Sequence, residues 1–258
     1  MRGARFIVEE CFMLKSIERI KERIPIKSIE RLKVATGEVL GVVFPQSLYC
    51  ICCGNIIDKS RSYSICDHCM EHIRWNADDA RDIDGMKILR CVDYGIYERS
   101  IIFALKYDNH RYIARDIGRI MRDRIRASEI NGNHLVVPVP LHPNKKARRG
   151  FNQSELIGKY FAKEMGWEMA DALVRSRETR AMRGLGPEER AKNIEGSIKL
   201  VKEKIDLIRN QDIMLVDDFY TTGSTARECM RALSVAGPRR VTLLAFAGRE
   251  WKKVAYNS

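Results

Sequence analysis

The chain has 258 residues, an ordinary apolar content and a formal net charge of +12 at pH 7. This length fits one large domain, or a medium domain with a small appendage. No apolar run approaches the roughly 20 residues that span a bilayer, and the charged N-terminus lacks the apolar core of a signal peptide, so we expect a cytoplasmic protein without membrane insertion. The positive charge favours anionic partners such as phosphates, nucleotides or nucleic acid, with a merely basic surface as the alternative.

Residues 1–45 have the apolar periodicity of a helix. Met13, Ile17, Ile20 and Ile24 lie at helical spacing, with basic residues on the other faces. We predict a helical leader that docks against the rest of the chain.

Residues 46–90 contain two Cys-x-x-Cys pairs separated by twelve residues. This spacing predicts a small zinc-ribbon domain in which four thiolates hold one zinc ion in a structural role, because four thiolates leave no open coordination position. Cys52, His68 and His72 are alternative ligands, and a redox role is the alternative for a single pair. The predicted ligands are Cys50, Cys53, Cys66 and Cys69.

Residues 91–258 alternate between two kinds of pattern. Three short, continuously apolar runs, at 134–140, 212–218 and 240–248, are typical of strands buried on both faces of a parallel sheet. Helical patterns separate them and predict an α/β domain with helices flanking a parallel sheet. We predict helices over 113–125, from Asn152 with Glu155 as its capping-box partner, and from about Ser224 to Gly237.

Two basic segments follow the first of these strands. In "PVPLHPNKKARRGFNQSE", we predict a basic loop that contains Lys145, Lys146, Arg148 and Arg149, with a solvated basic turn as the alternative to a binding role. The second segment, 175–197, combines arginines with glycines. It predicts a mobile lid that uses Arg177, Arg180 and Arg190, with a static surface loop as the alternative.

The stretch "VDDFYTTGSTARE" places Asp217 and Asp218 at the carboxyl end of a buried strand, where ligands bind in open α/β sheets. The turn after them opens a helix, whose free N–H groups and dipole attract anions. We predict a phosphate seat on Thr221, Thr222, Gly223, Ser224 and Thr225. Carboxylates beside a phosphate-binding turn suit a ribose 5-phosphate, because they can accept hydrogen bonds from its 2- and 3-hydroxyls. A divalent cation could bridge the remaining oxygens. An ordinary capped helix is the alternative.

The last stretch resembles the phosphoribosyltransferase signature of two acids followed by Thr-Thr-Gly-Ser-Thr. With the cysteine pairs and "RGFNQSE", residues 43–248 resemble the ComF family of competence-associated, phosphoribosyltransferase-like proteins. "FALKY", Arg190 and Asn193 also fit the family's pattern. In the family's Thr-x-x-Gln motif, however, Met182 replaces glutamine and cannot make its hydrogen bonds.

The resemblance implies a type I phosphoribosyltransferase-like fold that binds phosphoribosyl pyrophosphate with magnesium. It implies that the basic loop binds the pyrophosphate group through Lys145, Lys146, Arg148 and Arg149. It also implies a pentosyl-transfer site with Asp217 and Asp218 in the catalytic position, without establishing turnover. It further implies a role in competence and DNA uptake, where protein partners and single-stranded DNA are expected.

The alternative function is a non-catalytic competence protein that binds single-stranded DNA and uses the phosphoribosyl site for recognition or regulation. Five arginines lie on one face of the predicted helix over 113–125 and its flanks, at spacings that could follow a phosphate backbone. A solvated face is the competing interpretation, because Asp116 and Asp123 partly offset the charge. The arginines are Arg111, Arg115, Arg119, Arg122 and Arg126.

Overall fold

The structure is a computed structural model that describes residues 48–58, 60–76, 80–107, 110–179 and 186–249. The predicted leader over 1–45 lies outside the described residues. Among the described residues, the helices are too short or too polar to cross a membrane.

A five-stranded sheet forms the centre of the fold, in the order β1-β2-β7-β6-β3. Strands β2, β7, β6 and β3 run parallel, and β1 pairs antiparallel with β2. A separate hairpin is formed by β4 and β5. The strands of the described residues are β1 (Ala80–Ile83), β2 (Met86–Asp93), β3 (Leu135–Pro138), β4 (Leu173–Arg175), β5 (Ile198–Leu200), β6 (Asp212–Tyr220) and β7 (Arg240–Gly248).

Helices precede and connect these strands. Within the described residues they are α1 (Asp67–His72), α2 (Ile96–Tyr107), α3 (Ile113–Arg126), α4 (Pro143–Arg149), α5 (Gln153–Met165), α6 (Pro187–Ile194), α7 (Ile205–Ile208) and α8 (Ser224–Ser234).

Helices cover both faces of the sheet because alternate residues of each strand point to opposite sides. On one face, Met214 and Val216 of β6 pack with α2, α3 and α5. On the other face, Ile213 and Leu215 pack with α8. The predicted fold class, a parallel sheet flanked by helices, is confirmed, and the three apolar runs form β3, β6 and β7.

The helix after the basic segment begins where the sequence predicts, but its predicted capping box is absent. The Asn152 side chain accepts a hydrogen bond from the Ser154 N–H at 3.2 Å and donates one to the Val139 carbonyl at 3.0 Å. Glu155 instead pairs with Lys146 at 2.6 Å, because a nearby ammonium group is a stronger partner for a carboxylate than a backbone amide.

The basic segment itself is a helix, α4, where the sequence predicted a loop. Pro143 occupies its first turn, and the His142 ring accepts a hydrogen bond from the Asn144 N–H at 3.2 Å. Gly150 ends the helix in the left-handed conformation, with φ of 82°. Proline at the start and glycine just beyond the end are the ordinary signals of a short helix.

The cysteine-containing segment shares its core with the sheet. Cys50, Ile65 and Cys69 belong to the same buried cluster as Leu89 of β2 and Ile117 of α3. Residues from Tyr49 onward form one compact unit. The division into a zinc domain over 46–90 and a larger domain over 91–258 stays a prediction.

Candidate functional site

The parallel strands bring the predicted site elements to one edge of the sheet. The carboxyl ends of β3 and β6 lie side by side, since Pro138 pairs with Val216. The connection after β3 leads into α4, and the turn after β6 leads into α8. The acidic pair, the basic helix and the Thr-Thr-Gly-Ser-Thr turn therefore share the edge at which open α/β sheets bind ligands.

Asp217 is a partly buried carboxylate whose partners come from its own strand and from α5. Its Oδ1 atom accepts hydrogen bonds from the Ser154 hydroxyl at 3.0 Å and from the Asp218 N–H at 2.9 Å. Burial, and then the charge of Asp218, raise the pKa of Asp217 to about 7, although Lys106 and Ser154 act in the opposite direction. This carboxyl group therefore changes its protonation near neutral pH.

Asp218 is buried and paired with a cation from another element. Its Oδ2 atom lies 2.5 Å from Nζ of Lys106, near the C-terminal end of α2. Adjacent strand residues point to opposite faces. Asp217 and Asp218 thus leave the end of β6 in different directions, although Ser154 of α5 reaches Asp217.

The turn after β6 depends on glycine. Gly223 has φ of +76°, and a Cβ atom there would lie 2.7 Å from the Tyr220 hydroxyl. Thr222 and Ser224 share a hydrogen bond between their hydroxyls at 3.0 Å, and Arg227 donates to the Thr222 carbonyl at 2.7 Å. Thr221 and Thr225 are partly buried beside them.

The start of α8 is suited to an anion. Its first turn carries no acidic residue, and no side chain caps it. Arg227 adds a guanidinium group near the turn, paired at 3.5 Å with Asp84. Free N–H groups, the helix dipole and this cation all favour negative charge at the same place.

The four predicted pyrophosphate-binding residues face different surroundings, because successive helical residues point about 100° apart. Lys146 pairs with Glu155 at 2.6 Å, and Arg148 pairs with Glu178 at 3.1 Å. Arg149 donates to Gln153. Lys145 turns toward the Thr179 carbonyl, 3.3 Å away, and burial together with the charge of Arg175 lowers its pKa.

Two of the three predicted lid residues, Arg177 and Arg190, lie in the part of the chain that the structure describes. Arg177 donates to the carbonyls of Glu195 at 2.8 Å and Asn193 at 3.4 Å, and so binds the C-terminal end of α6. Arg190 is partly buried within α6. Arg180 and Met182 lie outside the described residues.

The four predicted zinc ligands come together. The sulfur atoms of Cys50, Cys53, Cys66 and Cys69 all lie within 4.8 Å of one another. The Cys53 and Cys66 sulfurs are 3.7 Å apart. Zn–S bonds of about 2.3 Å in a tetrahedron place sulfurs roughly 3.8 Å apart, so the four thiols fit a zinc ion.

The surrounding groups leave the four-cysteine set intact. The Cys52 thiol donates to the Tyr97 carbonyl at 3.4 Å, and the rings of His68 and His72 lie tilted against each other with their centroids 4.3 Å apart. Burial opposes ionisation of the Cys50 thiol, but backbone N–H groups around it outweigh burial and lower its pKa to about 7. Burial raises the pKa of the Cys53 and Cys69 thiols, and a bound metal ion would favour their thiolate form.

The arginine row on α3 is partly neutralised. Arg122 pairs with Glu164 of α5 at 2.6 Å and with Asp123 at 2.8 Å, and Arg119 pairs with Glu164 at 3.4 Å. Arg111 lies over the Phe151 ring at 4.9 Å. The middle of the row therefore serves the packing of α3 against α5.

Four site residues escaped the sequence prediction. Ser154 and Lys106 stand in the quoted family segments, "RGFNQSE" and "FALKY", which were the available signals. Arg227 follows the phosphate turn by one helical turn, and Arg175 begins the segment assigned to the lid. Ser154 and Lys106 have partners that are distant in sequence, whereas Arg227 contacts both Asp84 and the adjacent turn, and Arg175 donates to Thr179 only four residues further on.

Known proteins resemble this chain at the level of sequence. No protein-family model matches it. Competence protein F of Haemophilus influenzae is 26% identical over 208 residues, which cover 76% of this chain and 89% of that protein. The DNA utilization protein YhgH of Escherichia coli is 28% identical over 153 residues, which cover 57% of this chain and 65% of that protein.

Among solved structures, a glutamine phosphoribosylpyrophosphate amidotransferase from B. subtilis, complexed with ADP and GMP, overlaps 51% of this chain and 25% of its own, at 16% identity and a TM-score of 0.34. The family resemblance rests on the two sequence relatives. They confirm the resemblance predicted from the cysteine pairs and the two loop motifs, and the chain is a relative of the ComF competence proteins.

Proposed function

We propose that this chain is a phosphoribosyltransferase-like competence protein that binds phosphoribosyl pyrophosphate, or another ribose 5-phosphate ligand, at the carboxyl edge of its sheet. The observation that carries the proposal is the position of Asp217 and Asp218 immediately before a glycine turn that opens α8. The carboxylates that would accept hydrogen bonds from the ribose hydroxyls therefore lie next to the turn that would bind the phosphate.

The phosphate end of the ligand would bind at the turn. The hydroxyls of Thr221, Thr222, Ser224 and Thr225 surround the N-terminus of α8, and Gly223 keeps the backbone accessible. Backbone N–H groups at a helix start bind phosphate without a separate charged side chain. Arg227 supports the turn through the Thr222 carbonyl.

The sugar hydroxyls would be accepted by the carboxylates. Asp217 and Asp218 are held by Ser154 and Lys106, so their positions are set before a ligand arrives. Positioning of this kind lowers the entropy cost of binding. Because the pKa of Asp217 is about 7, we expect ligand hydroxyls to be accepted best above neutral pH, when this group is ionised.

The acidic pair also suits Mg²⁺. Burial, and then the charge of Asp218, make Asp217 hard to ionise, so a divalent cation that prefers oxygen ligands would stabilise the two carboxylates together. Asp217 and Asp218 would hold the ion together with ligand oxygens. When bound, Mg²⁺ would offset the negative charge of a pyrophosphate group.

A site of this kind supports displacement at C1 of the ribose. The bond from C1 to the pyrophosphate oxygen breaks, that oxygen keeps the electron pair, and a nucleophile forms the new bond to C1. The chain's contribution would be to fix the ribose and exclude water.

Isothermal titration with phosphoribosyl pyrophosphate, with and without Mg²⁺, tests the proposal. We expect Mg²⁺-dependent binding that weakens by about 10- to 100-fold in Asp217→Asn and Asp218→Asn, since a hydrogen bond to a charged group contributes about 1.5–3 kcal/mol. Asp206→Asn is the matched control, because the Asp206 side chain is 89% exposed. Absence of binding to the wild-type chain would refute the proposal.

A role in competence or DNA utilization is supported by the names of both relatives. Complementation of a transformable host that lacks its own relative tests this role. We expect the wild-type chain to restore transformation and the Asp217→Asn, Asp218→Asn double variant to fail. Equal restoration by both would separate the biological role from the phosphoribosyl site.

Direct binding of single-stranded DNA is the second candidate, supported by the net charge of +12. The pairing of Arg119 and Arg122 with Glu164 weakens the case for a phosphate track on α3. A contact with several phosphates would give an affinity that falls steeply with salt concentration. A salt-independent affinity, or no binding at low salt, would eliminate this candidate.

A further inference from the structure

Among the described residues, Lys106 is the one cation at ion-pair distance from the acidic pair. Its Nζ atom lies 2.5 Å from Oδ2 of Asp218. Its charge also reaches the second carboxylate: burial and the charge of Asp218 raise the pKa of Asp217, and Lys106 is the strongest of the influences that oppose them. A single ammonium group therefore acts on both carboxylates.

Helix α2 sets the position of this ammonium group. Lys106 stands in the last turn of α2, and Leu105 beside it is fully buried in the core. At the other end of the helix, the buried side chain of Glu98 accepts hydrogen bonds from the N–H groups of Arg74 at 2.8 Å and Gly95 at 2.9 Å. Packing at one end and hydrogen bonds at the other keep the ammonium group in place before a ligand binds.

The contact between Lys106 and Asp218 is electrostatic rather than directional. Oδ2 of Asp218 is buried, and within the part of the chain that the structure describes no group meets it with the geometry of a hydrogen bond. The two side chains are 20% and 11% exposed, so water screens their charges only in part. The charge of Asp218 is therefore offset, while its oxygen can still accept a hydroxyl or bind a cation.

A ligand with phosphate groups benefits from this offset. Phosphoribosyl pyrophosphate is a polyanion, and two uncompensated carboxylates would repel it. A Mg²⁺ ion bound with the ligand would reduce the repulsion, and the ammonium group of Lys106 reduces it when the ion is absent. Because both cations act on the same carboxylate charge, each makes the other less necessary.

We propose that Lys106 is a built-in counter-ion of the acidic pair, which takes over part of the role of Mg²⁺ at Asp218 and so sets how strongly ligand binding depends on the metal. The inference rests on the proposed function and adds a positioning residue to the site. Lys106 acts through the carboxylate of Asp218 and not on the reacting atoms.

Titrations with phosphoribosyl pyrophosphate at a series of Mg²⁺ concentrations test the inference. The readout is the factor by which affinity rises from the lowest to the highest concentration. In Lys106→Met we expect affinity at the lowest concentration to fall by about tenfold or more, and the factor to rise by about threefold or more, because the metal replaces the missing charge. A lysine that only stabilised the fold would lower affinity equally at every concentration.

Two further variants serve as controls. Lys106→Arg keeps the charge and should keep the wild-type factor. Lys163→Met removes an exposed lysine of α5 and should leave the factor unchanged. Metal-free buffers are prepared without a soluble chelator, so that zinc bound by the cysteines is retained, and elemental analysis checks the zinc content of each variant.

The outcomes separate this inference from the proposed function. If wild type and Lys106→Met bind the ligand with equal factors, the inference is wrong and the function stands. An equal rise in Lys163→Met would indicate general electrostatics and would also overturn the inference. Should Lys106→Met fail to fold, Lys106→Gln decides the same question, because it removes the charge and keeps a polar side chain.

A titration with Mg²⁺ alone decides the inference if the wild-type chain does not bind phosphoribosyl pyrophosphate, a result that refutes the proposed function. The measurement is made above about pH 8, where Asp217 is mostly ionised. Lys106→Met should then bind Mg²⁺ about threefold more tightly or more than wild type, because the competing ammonium group is gone. Unchanged or weaker binding would refute the role of Lys106.

Discussion

Asp217 and Asp218 are neighbours on β6, yet the fold gives their carboxylates different partners. Asp218 meets the ammonium group of Lys106, whereas Asp217 has the neutral hydroxyl of Ser154. Burial beside a like charge then raises the pKa of Asp217. The ionised form of Asp217, which would accept hydrogen bonds from ligand hydroxyls, therefore lowers the stability of the folded chain.

Asp217→Asn should change the pH dependence of stability. A folded-state pKa of about 7, above the ordinary 3.8, means that folding favours the protonated form. The stability from this group is complete below about pH 4 and is lost as pH rises to about 7. We compare the free energy of unfolding of the variant with that of the wild type. The difference should be about 2 kcal/mol more in favour of the variant at pH 8 than at pH 4. This figure is smaller than the full pKa shift would give, because the group is partly exposed.

Urea denaturation at several pH values measures this difference. Asp206→Asn provides the control, because its exposed carboxylate should leave the wild-type profile unchanged. Parallel profiles for wild type and Asp217→Asn would show that Asp217 is ionised without penalty in the folded chain.

At the scale of elements, the basic segment shows why a helix differs from the predicted loop. A flexible loop could direct all four cations to one ligand, but α4 sends Lys145 and Arg148 toward residues 178–179 and Lys146 toward Glu155 of α5. Proline and glycine at its ends could have predicted the helix. The partners Glu155 and Glu178 could not be predicted, because they depend on how α4 packs against α5 and the segment after β4.

The turn that opens α8 is the second element with a specific requirement. Gly223 and Gly85 both have φ of +76°, but a Cβ atom would contact Tyr220 at Gly223 and meet open space at Gly85. Gly223→Ala should therefore destabilise the chain by about 1–3 kcal/mol more than Gly85→Ala. Urea denaturation of both variants gives this difference. Equal losses would show that Tyr220 moves aside without cost.

At the scale of the whole molecule, the cysteine cluster joins the central sheet. Cys50 and Cys69 are 3% and 0% exposed, within the core cluster that also contains Leu89 and Ile117. A metal held by these cysteines would therefore stabilise more than its own loops. Metal binding of this kind contributes directly to the free energy of folding.

We expect one zinc ion per chain and a lower melting temperature when a strong chelator removes it. Cys66→Ser should lose the zinc and melt about 5 °C or more below wild type, because a loss of about 1–2 kcal/mol shifts a chain of this size by that amount. Cys52→Ser is the control and should retain the metal, since Cys52 stands outside the set of four. Elemental analysis and thermal unfolding measure both effects. Zinc retained by Cys66→Ser would contradict the ligand assignment.

The sequence by itself determined the local chemistry of this protein. Short segments of the sequence suffice to predict four features: the cysteine spacing, the apolar runs that form β3, β6 and β7, the glycine turn and the acidic pair. Short-range patterns suffice there because strand burial, turn geometry and ligand spacing depend on neighbouring residues.

Only the tertiary structure decided which charges remain for a ligand. Lys106 neutralises Asp218, Glu155 and Glu178 neutralise two cations of α4, and Thr179 brings Lys145 beside Arg175. These partners are distant in sequence or come from different elements. The physical reason is that an ion pair depends on distance in space, which the packing of helices against the sheet sets and residue order does not.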